Sequence, residues 1–311
     1  MITVDEAAAN ENNPIIHEQT SQSGATSNRV VCPLCSGSGN SRLLFHTSRP
    51  ILQCRSCGLV YAEPRSSSLN EPGESNSTDY SEDYYRGGPY SDYLADRHAI
   101  QRNAARVLAE LEHMVAGRRL LDVGCATGFF LDAAMSRGWT VQGLEVSDYA
   151  SNYARHELNL PVETGSVVSP PAGLGKFDVV TLWDTIEHLD RPEVALANIR
   201  KLLDPRGVLV FSTGDYNSMV RRVTRKRWRL FADPTHNFFF SEADLRRLLK
   251  REGFEVLRTT HRGKRVSLSL ILHQSRLPLS SWAAKKLLAR GWNPCIYVNL
   301  WDVITVFARR Y

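Results

Sequence analysis

Hydrophobic and polar positions follow different rules along this chain, and each rule predicts a different kind of segment. Residues 1–28 are rich in Asn, Ser, Thr, Gln and Glu and lack any apolar period, which predicts a disordered N-terminus. Across 29–64 the short apolar runs Val30 to Cys35, Leu43 to His46 and Leu59 to Tyr61 predict small strands. Residues 65–92 read as a linker: Ser, Asn, Pro and Gly fill Ser66 to Asp79, and a cluster of Tyr80, Tyr84, Tyr85, Tyr90 and Tyr93 follows. From about Tyr93, Ile100, Ala104, Val107, Leu108, Leu111, Met114 and Val115 recur every three or four residues, the spacing of an amphipathic helix.

Beyond Arg119 strand-like runs alternate with helical patterns. The strands are Leu120 to Gly124, Thr140 to Val146, Val162 to Gly165, Phe177 to Trp183, Val208 to Thr213, Phe254 to Thr260 and Asp302 to Ala308. This alternation predicts an α/β fold in which residues 93–311 form a seven-stranded, mostly parallel sheet with flanking helices. Several helix ends are legible. Pro192 suits a first helical turn, where its missing N–H costs nothing. Ser241 with Asp244 has the form of a capping box, and Gly253 stops that helix. Between Val266 and Leu300 the pattern supports one helix, Ser281 to Ala289.

Composition narrows the class. With 42% hydrophobic residues in a chain of 311, a real core forms and disorder throughout is excluded. No run of about 18 uncharged apolar residues exists, and Asp5 and Glu6 stand where a signal peptide carries lysines, so the expectation is a cytoplasmic protein with no transmembrane segment. Thiols stay reduced there, which makes grouped cysteines metal ligands rather than disulfides. Cys32 with Cys35 and Cys54 with Cys57 form two CxxC pairs separated by 18 residues, the spacing of two knuckles around one tetrahedral Zn²⁺. Residues 29–64 are therefore expected to be a zinc ribbon, with Pro33 and Gly58 in tight turns whose N–H groups face the thiolates. Four thiolates leave no open position, so this zinc is structural. Cys125 and Cys295 have no partner at such spacing and read as buried thiols.

The first strand of the main unit runs into Asp122-Val123-Gly124-Cys125-Ala126-Thr127-Gly128, an acidic residue at a strand end followed by a glycine-bearing turn and a helix. Such a loop lies at the carboxyl ends of a parallel sheet, where ligands bind, and its glycines permit a sharp turn and close approach. The second strand ends at Glu145, where a carboxylate can accept both hydroxyls of a ribose. A dinucleotide fits poorly, since Ala126 and Phe129 replace the second and third glycines of its fingerprint.

The arrangement instead resembles the first motif of class I S-adenosylmethionine-dependent methyltransferases, of the ubiquinone-type group. The resemblance continues through Glu145, Phe177-Asp178-Val179-Val180, Leu202-Leu203-Asp204-Pro205-Arg206-Gly207 and Phe238-Phe239-Phe240-Ser241 leading to Gly253-Phe254. It implies a Rossmann-like sheet and S-adenosyl-L-methionine as cofactor. Asp122, Gly124 and Gly128 would line the methionine end, Glu145 would hold the ribose, and Cys125 and Trp183 would join the cofactor wall. Relatives often place an Asp on the adenine after the third strand; here Gly165-Ser166-Val167 stands instead, leaving Ser166 or a backbone group for that role.

At the end of the fourth strand the chain reads Trp183-Asp184-Thr185-Ile186-Glu187-His188. On a helical turn Asp184, Glu187 and His188 would share one side, and His236 could close over them. This resembles the Glu-x-x-Glu-His segment with a later His that binds Mg²⁺ in ubiquinone-type O-methyltransferases and the plant small-RNA 2′-O-methyltransferase, with Asp184 in place of the first Glu. The resemblance implies either an Mg²⁺ site at Asp184, Glu187, His188 and His236, or His188, Glu187 and His236 as base and acceptor-orienting groups. Support of the cofactor pocket alone is the third reading.

Arg221, Arg222, Arg225, Lys226, Arg227 and Arg229 place six cations in nine residues where this fold often carries a lid over the acceptor. They suit phosphate groups on a nucleotide-linked sugar, anionic headgroups at a membrane periphery, an RNA backbone, or simply solvent. Against nucleic acid, seven acidic and only two basic residues lie from Glu63 to Asp92. The net +5 also divides unevenly: residues 217–311 carry +14 and the first 216 carry −9. The expected acceptor is thus a small molecule, glycan or lipid-linked compound, anionic in character and methylated at oxygen. An RNA methyltransferase and a non-catalytic cofactor-binding scaffold are the alternatives. The tyrosine cluster is expected to pack the first helix, with a cap over cofactor or acceptor as the other possibility.

Overall fold

The computed structural model describes residues 32, 34, 35, 37, 41–64, 80–86, 92–274, 282, 286 and 288–311. The lead-in, the Ser66 to Asp79 linker, Tyr90 and most of the helix expected over 281–289 lie outside the described residues.

Three strands open the described chain: β1 (Ser41–His46), β2 (Pro50–Cys54) and β3 (Val60–Ala62). β2 was not expected from the sequence, because its apolar pair Ile51 and Leu52 is bracketed by Pro50 and the metal-type Cys54. Leu34 and Cys35, expected at a strand end, instead occupy a turn. The short α1 (Glu82–Tyr85) and a 3₁₀ turn (Tyr93–Asp96) lead into α2 (Arg97–Met114), which buries Ala99, Ala104, Leu108 and Leu111 on one face.

The main unit then follows as β4 (Arg119–Val123), α3 (Phe129–Met135), β5 (Thr140–Glu145), α4 (Asp148–Leu158), β6 (Val162–Thr164) and β7 (Phe177–Trp183). Next come α5 (Pro192–Leu202), β8 (Leu203–Gly214), α6 (Met219–Thr224), β9 (Phe238–Phe239), α7 (Glu242–Arg251) and β10 (Phe254–Thr260). The chain closes with β11 (Lys264–Ser267), α8 (Leu268–Gln274), β12 (Cys295–Val298) and β13 (Val303–Arg310). Pro192 stands in the first turn of α5, and Ser241 and Asp244 form the full capping box of α7.

All seven expected strands of the main unit join one sheet, in the order β10-β13-β8-β7-β4-β5-β6, with β13 antiparallel to its neighbours and the other pairs parallel. β4 is flanked by β5 on one side and β7 on the other, so the chain reverses its direction of winding there. That switch point opens a crevice at the carboxyl ends of β4 and β7, where an α/β sheet receives its ligand. β7 and β8 are buried almost throughout, the pattern of strands covered on both faces.

The N-terminal strands are not a separate unit. β9, from the main chain segment, pairs antiparallel with β3 and completes a four-stranded sheet β1-β2-β3-β9. Cys32, Leu34, Cys54, Leu59 and Tyr61 share one apolar cluster with Leu245, Leu248 and Leu249 of α7. Arg251 Nη1 also donates to Leu34 O at 2.9 Å. The 261–302 excursion, for which the sequence supports one helix, adds the antiparallel β11–β12 pair. It docks on α2 where Ser267 Oγ donates to buried Asp96.

Candidate functional site

The loop between β4 and α3 carries three residues with positive φ: Gly124 at 70°, Ala126 at 48° and Gly128 at 83°. A β-carbon on Gly124 would lie 2.7 Å from Thr185, and one on Gly128 2.6 Å from Leu160. These glycines thus serve the sharp turn and the close packing of Thr185 and Leu160 against the loop. Glu145, 4% exposed, ties the loop to β5: Ala126 N–H donates to Oε2 at 2.8 Å and Ser147 N–H to Oε1 at 2.9 Å. Burial pushes its carboxyl upward despite these donors.

Asp122 lies beneath the same loop, 1% exposed, and Oδ1 accepts the Thr181 hydroxyl at 2.6 Å. Burial, together with the neighbouring Glu145 charge, raises its carboxyl to about 8. Two buried carboxyls under one loop give this end of the sheet a preference for a cation. Thr127 Oγ1 and Trp183 Nε1 are buried there without hydrogen-bond partners, so the loop offers unused polar atoms to a ligand. Trp183 packs its ring on Phe130 at 5.1 Å.

At the carboxyl end of β7, residues 186–188 form a hydrogen-bonded turn in place of the expected helical turn. Asp184, at φ 49°, faces away from the others: Oδ1 accepts Ser212 Oγ at 2.7 Å and Oδ2 accepts Lys264 Nζ at 3.1 Å. Desolvation would raise its carboxyl, but the Lys264 ammonium and the Ser212 hydroxyl hold it at about 2. Glu187, His188 and His236 do converge, each offering a ligand atom within 4.8 Å of the others. The imidazoles of His188 and His236 meet edge to face at 4.6 Å. His236 Nδ1 is 2.8 Å from Leu230 O, leaving Nε2 for the cluster. Glu187 Oε2 and His188 Nδ1 are buried and unpartnered. Burial, then the Asp184 charge, raises Glu187 to about 8; burial, then His236, lowers His188 to about 4. Burial likewise depresses His236. Behind the cluster Glu187, Thr213, Trp228, Leu230 and His236 pack closely, with no room for a water molecule.

Residues 95–259 match a family described as methyltransferase domain. The chain belongs to this family. Aligned with a ubiquinone biosynthesis O-methyltransferase of Thiobacillus denitrificans, this methyltransferase is 32% identical over 157 residues, 46% of its own length and 66% of the relative's. The enzyme of the same name from Bordetella avium is 28% identical over 170 residues, covering 51% of this chain and 70% of that one. The chain therefore spans about two thirds of the length of these curated relatives, slightly less for the first. In fold it is similar to magnesium protoporphyrin IX methyltransferase of Synechocystis with bound S-adenosylhomocysteine, at TM-score 0.51 and 18% identity, over 76% of this chain and all of that one. The chain thus has the Rossmann-like fold of the methyltransferase domain.

Against the set expected from the sequence, the methyltransferase brings Asp122, Gly124, Gly128, Glu145 and Trp183 to one loop. Cys125 differs. Its thiol lies 5% exposed in the apolar cluster under the loop, against Gly143, so only its backbone faces the site. Ser166 accepts Val168 N–H at 3.2 Å, which turns its hydroxyl toward its own bend.

Of the two roles open to the tyrosines from the sequence, packing of α2 and a cap over cofactor or acceptor, their central position favours the second. A ladder of rings runs from His188 through Tyr80, Tyr84, Tyr85 and Tyr93 to Phe129 at the start of α3, with centroids 5.0 to 6.2 Å apart. Tyr80 O also accepts Ser147 Oγ at 2.5 Å, beside Glu145. The ladder therefore covers both the cofactor loop and the histidine pair. Five tyrosines within 14 residues, directly ahead of the domain, were the available signal.

The four module cysteines also converge, all unoxidised, with Cys32 Sγ 3.5 Å from Cys57 Sγ and Cys35 Sγ 3.7 Å from Cys54 Sγ. Four sulfurs at the Zn–S distance of about 2.3 Å in a tetrahedron stand about 3.8 Å apart, so this cluster fits a zinc ion. Burial opposes ionisation, yet the Cys57 and Ser56 N–H groups aimed at Cys54 lower its thiol to about 7.

Of the basic run, Arg221 stacks on Tyr216 at 3.7 Å and Arg229 pairs with buried Asp302 at 3.1 Å. Arg222, Arg225, Lys226 and Arg227 are exposed. No helix among the described residues is long and apolar enough to cross a membrane.

Proposed function

We propose that this protein transfers the methyl group of S-adenosylmethionine to a hydroxyl oxygen of a small anionic acceptor, with an acidic, phenol-type hydroxyl favoured over a sugar alcohol. The observation that carries this reading is the half-buried, neutral His188, whose ring Nδ1 is buried and unpartnered, at the end of β7 next to the cofactor loop. The curated relatives bear the name ubiquinone biosynthesis O-methyltransferase, which is consistent with oxygen as the methylated atom.

In this reading Asp122 and Glu145 hold the cationic cofactor, with Glu145 toward the ribose, and the tyrosine ladder excludes water. The sulfonium methyl is already electrophilic, so the protein's main task is alignment of the oxygen with the C–S bond. As the C–O bond forms and the C–S bond breaks, the hydroxyl proton passes to His188. Burial makes His188 a weaker base than a free imidazole, so transfer is easier from the more acidic hydroxyl of a phenol than from a sugar alcohol. The exposed Arg222, Arg225, Lys226 and Arg227 supply the attraction for an anionic acceptor.

Glu187, His188 and His236 fit a divalent ion, and a bound ion would acidify the acceptor hydroxyl as a Lewis acid. With Asp184 engaged by Lys264 and Ser212, the remaining set is one carboxylate and two imidazoles. That set suits Mn²⁺, Fe²⁺ or Zn²⁺ better than Mg²⁺. The cysteine cluster carries structural zinc. A screen of the purified protein with labelled S-adenosylmethionine against phenolic acids, nucleotide sugars and RNA tests the acceptor. Label entering only RNA overturns the proposal, and turnover unchanged by EDTA removes the ion.

A further inference from the structure

The geometry points to Arg49, a residue of the N-terminal module, as a positioning residue for the histidine pair of the methyltransferase site. The inference rests on the acceptor-side role proposed for Glu187, His188 and His236. The family match begins at residue 95, so Arg49 enters the site from outside the domain that the family shares.

Arg49 sits at the turn between β1 and β2 and spans two parts of the molecule with one guanidinium. On the module side Nε and Nη2 donate to Glu63 O at 3.0 and 2.6 Å, fixing the fork at the end of β3. On the other side Nη1 donates to Asn237 Oδ1 at 2.9 Å, Pro234 O at 3.2 Å and His236 O at 3.4 Å. These three acceptors belong to the short segment that carries His236. Asn237 in turn donates from Nδ2 to His188 O at 2.7 Å and from its backbone N–H to Glu187 O at 2.8 Å. Its own carbonyl accepts Ala62 N–H at 2.8 Å, next to the β3–β9 pairing.

Each member of the Glu187, His188 and His236 cluster is thus held through a backbone carbonyl, and all three carbonyls are bonded by Arg49 or Asn237. Glu187 and His188 come from the end of β7 and His236 from a segment 48 or more residues later; Phe238 N–H to Glu187 O at 3.1 Å and His236 Nδ1 to Leu230 O at 2.8 Å add to the same framework. A planar fork of five donors can satisfy several carbonyls at once, whereas an ammonium cannot hold both sides in one plane. Small displacements of reacting groups have large effects on rate, so a brace at this place acts on turnover, while the loop residues Asp122 and Glu145 make no hydrogen bond to Arg49 or Asn237 among those described.

The test uses the full chain labelled with ¹⁵N-histidine, in the wild type and in Arg49→Gln and Arg49→Lys. Ring signals are assigned with His188→Asn and His236→Asn. The expected result is that the His188 and His236 signals shift or broaden in Arg49→Gln and partly recover in Arg49→Lys. S-adenosylmethionine affinity by calorimetry stays within about twofold. Methyl transfer to 3,4-dihydroxybenzoate, used as the probe acceptor, falls about tenfold at saturating cofactor. Ring signals in Arg49→Gln that coincide with the wild type overturn the inference. Should Arg49→Gln lose its fold, seen as a collapsed thermal midpoint, Arg49→Lys decides by the same signals. If His236→Asn turns over like the wild type, the acceptor-side reading fails instead, and the ring signals still decide whether Arg49 braces the pair.

Discussion

Two clusters of ligand-type side chains share one continuous scaffold, and they are built in opposite ways. Cys32, Cys35, Cys54 and Cys57 come from two tight turns, offer four like donors and receive backbone N–H groups. Glu187, His188 and His236 come from two distant segments, offer mixed donors and keep Glu187 Oε2 and His188 Nδ1 buried without partners. A cluster of four thiolates satisfies a tetrahedral ion completely and can only stabilise. A cluster of three mixed donors with unsatisfied atoms retains capacity to meet a substrate. On the proposed reading the contrast separates a structural centre from a reactive one, and the β3–β9 pairing ties the module of the first to the segment that carries His236.

The strongest way to break this contrast is to disable the thiolate end. Cys54→Ser should abolish tightly held zinc and lower the thermal midpoint by roughly 10 °C or more, since the binding energy of a structural ion is folding energy. Metal analysis and calorimetry check both, and an unchanged midpoint would remove the structural role. At the reactive end, His188→Ala should reduce methyl transfer by about 10²-fold or more while S-adenosylmethionine affinity is kept, measured by turnover and calorimetry side by side. Equal losses of both would place His188 in the cofactor pocket instead.

A third measurement asks whether the cofactor loop differs from both clusters. Asp122, raised to about 8 by burial and Glu145, is protonated in the free protein at neutral pH. The cofactor is cationic and favours the ionised carboxyl, so binding expels a proton. Affinity should therefore strengthen as pH rises from 6 toward 8, by up to about tenfold per unit, and level off above 8. Asp122→Asn should flatten this profile; a profile that is flat in the wild type contradicts the cation pocket. The smallest effect is expected at the surface. Alanine at Arg225, Lys226 and Arg227 should raise KM for an anionic acceptor severalfold at low salt and hardly at all at high salt, because these cations are exposed and screened. A loss independent of salt would mean that they act by contact.

Legibility in the sequence followed the same division. The strands of the main sheet, the capping box at Ser241 and Asp244, and Pro192 at the start of α5 were readable, because each depends on local period or local hydrogen bonding. β9 was not, since a two-residue strand has no period of its own and exists because β3 lies beside it. Asp184 was misplaced for a related reason: the three-and-four spacing presumed a helical turn. Its positive φ and the Lys264 ammonium, 80 residues later, turn the carboxylate elsewhere. Cys125 looked like a wall of the cofactor site, but the absence of a side chain at Gly143 opens room for its thiol in the core.

What the sequence by itself determined is the alternation that makes the sheet, the acidic and glycine positions of the cofactor loop, and the cysteine spacing that closes four thiolates. All of these are encoded within about 25 residues, where chain connectivity limits the options. Only the tertiary structure decided which residues meet at the acceptor side. His236 reaches His188, Tyr80 meets the His188 ring, and Arg49 bonds to the segment between Pro234 and Asn237 across 185 residues of chain. Contacts of that span depend on the packing of whole elements, and no local pattern of side chains carries them.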